Sequence, residues 1–113
     1  MLQKPVDLQM VRGDTFSFDL VLTDIAAESI RSLYITVKKK ATDTDSDAVI
    51  QKGLDDGVTL VEGTTYRFRI APEDTEDVHA GKYVYDIQIR VEDDVYTLFS
   101  GAFNIAQDVT EVI

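Results

Sequence analysis

The chain has 113 residues, a net charge of −10 from 21 acids against 11 bases, one histidine and no cysteine. That length bounds it to a single domain able to bury roughly two-thirds of its unfolded surface, so it needs no covalent staple. Missing cysteine excludes disulfides, thiol catalysis and zinc–thiolate sites. The acidity opposes nucleic-acid binding, which works by neutralising phosphates with lysine and arginine. Met1 to Pro5 carry no apolar leader core, and no run approaches the ~18 apolar residues of a membrane span. A soluble module made in a reducing cytosol, with no membrane insertion, is expected.

The domain is expected to fill residues 1–113, with its ordered core over about 6–106 and a tail at 107–113. Val6 to Val11 reads as a short first strand with Leu8 and Met10 on one face, and Gly13-Asp14 turns the chain. Thr15 to Thr23 alternates, with Phe16, Phe18, Leu20 and Leu22 directed inward. A loop with one helical turn at 26–28 precedes a third strand marked by Leu33, Ile35 and Val37. Thr42 to Asp47 is polar, and Ala48 to Gln51 reads as a short edge strand closed by Lys52-Gly53. Asp55-Asp56-Gly57 is a turn signal before a strand at Val58 to Val61. Glu62-Gly63 then leads tightly into Thr64 to Ile70, with Tyr66, Phe68 and Ile70 on one side. Pro72 followed by acids is a helix opening with room for one or two turns.

Gly81 to Val91 is the clearest element. Tyr83, Tyr85, Ile87, Ile89 and Val91 alternate with Val84, Asp86, Gln88 and Arg90, which predicts a long strand with one buried face. The polar residues Glu92-Asp93-Asp94 turn it into a second extended run from Val95 to Ile105. Seven or eight short strands with almost no helix predict an all-β, immunoglobulin-like antiparallel sandwich of two sheets. Such a hairpin cannot bury its apolar face alone, so the other strands must cover it.

No residue set announces catalysis. Asp43-x-Asp45-x-Asp47 is a weak calcium candidate, but an EF-hand would need glycine and glutamate where Ala48 and Leu54 stand, so no metal or cofactor is expected. The acid-rich stretches 41–63 and 71–81 read either as solvated loops or as a cation or partner site. Acid–base chemistry at His79 would need a partner within hydrogen-bond reach, and its neighbours Asp77, Val78 and Ala80 make it read as a loop residue at a strand corner. Arg12-Gly13-Asp14 matches an integrin-binding tripeptide by letter, and a turn glycine explains it.

Gly81-Lys82-Tyr83-Val84-Tyr85 resembles the segment that opens strand F of immunoglobulin-like domains. The resemblance makes Gly81 and Tyr83 structural, with Tyr83 as the corner tyrosine and Tyr85 standing where antibody domains place cysteine. A second resemblance spans most of the chain. Arg12-Gly13-Asp14-Thr15 comes before an aromatic strand, and Ile35-Thr36-Val37-Lys38-Lys39 follows. Then come Ala48-Val49-Ile50-Gln51-Lys52, Pro72-Glu73-Asp74-Thr75, Gly81 to Ile87, and Thr97-Leu98 with Gly101 and Phe103. Together they resemble the small β-sandwich modules encoded near tail, baseplate and tail-fibre genes of bacteriophages and prophages, such as the N-terminal domain group of baseplate upper proteins. That resemblance implies a non-enzymatic structural or assembly role in a virion, with other tail proteins or further copies of the chain as partners. It carries no catalytic residues.

If the third strand and the hairpin pair as in such sandwiches, the face opposite the core displays Tyr34, Thr36, Lys38, Val84, Asp86, Gln88, Tyr96 and Leu98. Strict alternation of the last strand would place Thr97 inward, and a bulge near Gly101 would shift it. This face is the expected protein interface. The alternative is a carbohydrate- or host-surface-binding module, with Tyr34 or Tyr96 stacking on a sugar.

Overall fold

A computed structural model describes residues 4–110. Among them are nine strands, two single 3₁₀ turns and one short helix. The strands are β1 (Lys4–Pro5), β2 (Leu8–Val11), β3 (Phe16–Val21), β4 (Ile30–Lys38), β5 (Ile50–Leu54), β6 (Gly57–Glu62), β7 (Thr65–Ile70), β8 (Gly81–Val91) and β9 (Asp94–Ala106). The 3₁₀ turns are Ala27–Ser29 and Asp45–Asp47, and the helix α1 is Pro72–Thr75.

Strand β8 is central because it is laddered on both sides, antiparallel to β4 and to β9. Beyond β9 lies the N-terminal segment, with β1 and β2 both parallel to it. Beyond β4 lies β5. The second sheet runs β6–β7–β3, all antiparallel. Sheets ordered β9–β8–β4 and β6–β7–β3 reproduce the C-F-G and D-E-B layers of an immunoglobulin-like sandwich, so the expected fold class holds. The corner tyrosine holds as well: Tyr83 Oη donates to the His79 carbonyl at 2.7 Å, and its ring is buried.

The core lies between the layers. Phe68, Phe103, Leu33, Ile35, Ile87, Ile89 and Ile105 are fully buried, each worth about 1.5–3 kcal/mol of transfer free energy. Aromatic contacts link the sheets, with Phe16 edge-on to Phe103 at 6.0 Å. Within the second sheet Phe18 stacks on Phe68 at 5.0 Å.

Three elements differ from expectation. The predicted edge strand is a connector: Val37 to Ile35 pair with Ile50 to Lys52, after which Gly53 and Leu54 meet Gly57 and Val58 in the other sheet. Glycine serves the crossing, because a Cβ on Gly53 would collide with the Tyr34 ring. The hairpin turn uses two residues rather than three, since Asp94 pairs with Val91, and Glu92 takes up a φ of 53°. The start of the predicted tail is anchored, with Asp108 Oδ1 accepting from Arg12 Nε at 3.0 Å. Residues 111–113 of that tail lie outside the described residues.

The N-terminal strap explains another glycine. Tyr85 Oη donates to the Val6 carbonyl at 2.6 Å, and Asp7 Oδ1 accepts from the Ala102 amide at 2.9 Å. This draws the strap so close that a Cβ on Gly101 would meet the Val6 carbonyl.

Candidate functional site

The outward side chains of β8, namely Val84, Asp86, Gln88 and Arg90, form the middle row of the exposed face of the first sheet. Register supplies the flanks. Thr36 and Ser100 lie either side of Asp86, Tyr34 and Thr97 either side of Gln88, and Lys38 beside Val84. Ser32 and Val95 flank Arg90. The twist of the sheet makes this face an open concavity of about 740 Å³, lined among others by Tyr34, Thr36, Lys38, Val84, Asp86 and Gln88. Those six predicted residues do come together.

Tyr96 and Leu98 do not join them. Gln88 pairs with Thr97 and Ile87 with Phe99, so Leu98 is an extra residue, a bulge. Leu98 and Phe99 consequently both pack on the core, and Tyr96 lies opposite the inward Ile89 and packs there too. The outward places belong to Thr97 and Val95, the latter 54% exposed. The expected inward Thr97 and the bulge near Gly101 are both corrected by this geometry. Ser32, Gln51 and Arg90 also line the face, although the expected interface did not include them. Ser32 and Arg90 continue the alternating rows of Tyr34 and Gln88, so their signal was available; Val95 became outward only through the bulge.

The polar network is graded. Lys38 Nζ bonds Asp45 Oδ1 at 2.8 Å and the Asp43 carbonyl at 2.9 Å. The hydrogen bond from Lys38, and then its charge, hold the Asp45 carboxyl below the usual range. Gln51 Nε2 donates to Thr36 Oγ1 at 3.0 Å. Asp86 is half-buried, and that burial pushes its carboxyl up; Lys38 opposes the shift and Asp45 adds to it. Tyr34 lays its ring over Gly53 while remaining 44% exposed.

The other candidates are tied into the framework. Asp43 Oδ2 accepts from the Lys40 amide at 3.2 Å, and Asp47 Oδ2 from Thr44 Oγ1 at 3.1 Å. The three aspartates therefore turn to separate partners, and among the described residues no three acidic or histidine side chains converge as a metal site. His79 contributes its carbonyl to the tyrosine corner. In Arg12-Gly13-Asp14, Gly13 sits at φ 82° and donates its amide to the fully buried Thr75 Oγ1 at 2.8 Å. Arg12 is paired with Asp108, so the tripeptide is a structural turn. Thr75 belongs to α1, whose Asp74 reaches back to the Ala71 amide at 2.7 Å and pairs with Lys52 at 3.0 Å. No helix among the described residues is long and apolar enough to cross a membrane.

No protein-family model and no curated protein sequence matches the chain. Among solved structures, it is similar to the extracellular domain of the voltage-gated sodium channel β4 subunit, described as parallel homodimers that explain a role in cell–cell adhesion. The identity is 12% over 96% of this chain and 97% of that one, with a TM-score of 0.45.

Proposed function

We propose that the chain is a non-enzymatic assembly module of a phage or prophage tail or baseplate, made in the bacterial cytoplasm and built into the virion. It acts by protein–protein contact through the exposed face of the β9–β8–β4–β5 sheet. The observation that carries this reading is the composition of that face. A half-exposed Tyr34 on β4 and the apolar Val84 on β8 and Val95 on β9 sit among polar groups, around a central strand β8 that is laddered on both edges. Rigid, mixed surfaces with an aromatic anchor are what protein interfaces use. The virion assignment is supported by the order of motifs from Arg12 to Phe103 described above.

The concavity also favours a second reading, a neutral glycan held by Asp86, Gln88 and Thr36 beside Tyr34. A glycan array probed with monomeric protein discriminates the two. The direct test of the first is fractionation: particles purified from the producing bacterium after prophage induction should contain the chain in fixed proportion to known tail proteins. Its confinement to the particle-free lysate would overturn the proposal.

A further inference from the structure

The central row of this face has a property that the assembly reading alone does not demand. Asp86 and Arg90 stand two residues to either side of Gln88 on β8, about 7 Å away in each direction. A two-fold contact presents the same patch from both partners, with residue i on j and j on i. Resting on the assembly reading, we infer that a second copy of this chain occupies the face, docked about a two-fold axis that passes over Gln88 and runs across the strands.

The charges select this axis. Turning one copy about a line across the strands lays each β8 antiparallel over its mate. Asp86 then meets Arg90 of the second copy, and Arg90 meets Asp86, giving two opposite-charge pairs. Turning it about a line along the strands would instead set Asp86 on Asp86 and Arg90 on Arg90, which like-charge repulsion disfavours.

The neighbours fit the same operation. Gln88 faces its own copy, and a primary amide can donate to and accept from its twin. Tyr34, beside Gln88 in the register, also meets its own copy, so its exposed ring surface becomes covered. Lys38, beside Val84 in the register, is already held by Asp45 and the Asp43 carbonyl. Arg90 donates from Nε to the Glu92 carbonyl at 3.3 Å, and the fork of a guanidinium offers further donors suited to a carboxylate. Val95, in the Arg90 row, comes over the Asp86 row of the mate and leaves water.

Sedimentation equilibrium of the whole chain from micromolar to millimolar concentration tests the inference. The wild type should dimerise. Asp86→Arg and Arg90→Asp should each weaken the dimer by more than about tenfold, because each sets like charges against one another. An equimolar mixture of the two variants should form a heterodimer, and the double exchange Asp86→Arg with Arg90→Asp should restore the homodimer. Circular dichroism confirms that each variant is folded. If a charge reversal unfolds the chain, Asp86→Asn and Arg90→Gln carry the same test, each weakening association. A wild type that stays monomeric at millimolar concentration overturns the inference, as do variants that associate like wild type or a mixture that stays monomeric. A monomeric chain that is still incorporated into particles would remove self-association and leave the assembly reading standing. A dimer obeying the charge rule but missing from particles would do the reverse.

Discussion

Strands β8 and β9 run side by side through the whole hairpin but keep their faces differently. Strand β8 holds period two from Gly81 to Val91, with every inward residue from Tyr83 to Ile89 buried. Strand β9 does so only from Phe99 onward, where Phe99, Gly101, Phe103 and Ile105 lie opposite inward β8 residues. At Leu98 it inserts one residue and changes phase. The difference follows from support. Strand β8 has a ladder on each edge, whereas on its outer edge β9 is paired by the N-terminal strap only from Phe99. A segment with one ladder can take up a bulge at the cost of a single local bond, and such positions are where bulges collect.

The comparison can be broken most forcefully in the regular half of β9. Phe103 is fully buried and meets Phe16 and Tyr85 edge-on. Phe103→Ala should cost about 3–5 kcal/mol, read from the urea midpoint at constant slope. A loss below about 1 kcal/mol would mean that the two sheets are not joined through this ring.

The irregular half gives a sharper contrast between neighbours. With the bulge at Leu98, Tyr96 packs inward and Thr97 outward. Tyr96→Asp should therefore cost about 2–3 kcal/mol by forcing a polar group toward the core. Thr97→Glu should stay under about 1 kcal/mol, within the range of strand preference. The reverse order of the two would place the bulge elsewhere.

What was legible follows the same division. Alternation is a local signal, so it defined β8 to the residue, marked Tyr66, Phe68 and Ile70 as core, and gathered six of the eight face residues. It carries a face only as far as the first bulge, and so it misplaced Tyr96 and Leu98. It also says nothing of which strand lies beside which. The parallel strap on β9 and the crossing of β5 between sheets are long-range pairings, marked in the sequence only by Gly53 and Gly101, which alternation read as a strand end and a bulge, whereas each lies beneath a neighbour that leaves no room for a Cβ. The tyrosine corner was legible because it is local, with Tyr83 reaching back only four residues to His79.

That corner gives the third, smaller test. Tyr83→Phe keeps the ring and removes one hydroxyl bond to a carbonyl, for about 1 kcal/mol. It should leave the phase of β8 untouched, which hydrogen exchange at the β8 amides would register. An unchanged denaturation midpoint would mean that the His79 carbonyl is satisfied equally well by water.

The smallest expected effect concerns the outer row of β8 and has a definite sign with pH. Burial makes the ionised Asp86 costlier in the folded chain, so its carboxyl is raised above the ordinary value of 3.8. The folded chain then binds the proton more tightly than the unfolded chain does. Stability from this group is greatest below that ordinary value and declines as pH rises through the folded one. Asp19 and Asp45 act oppositely: the hydrogen bonds from Arg67 and Lys38 hold their carboxyls down, so their contributions are present above 3.8 and are lost as the pH falls. Asp86→Asn separates the two behaviours, since the amide is close in shape and never ionises. In dilute solution, where self-association is negligible, it should raise the thermal midpoint by about 1–2 °C at neutral pH. The gain should vanish near the acid limit, where the wild-type carboxyl is protonated. A midpoint that falls at neutral pH would show instead that the attraction of Lys38 outweighs burial, and that the centre of this face is stabilised by its charge rather than strained by it.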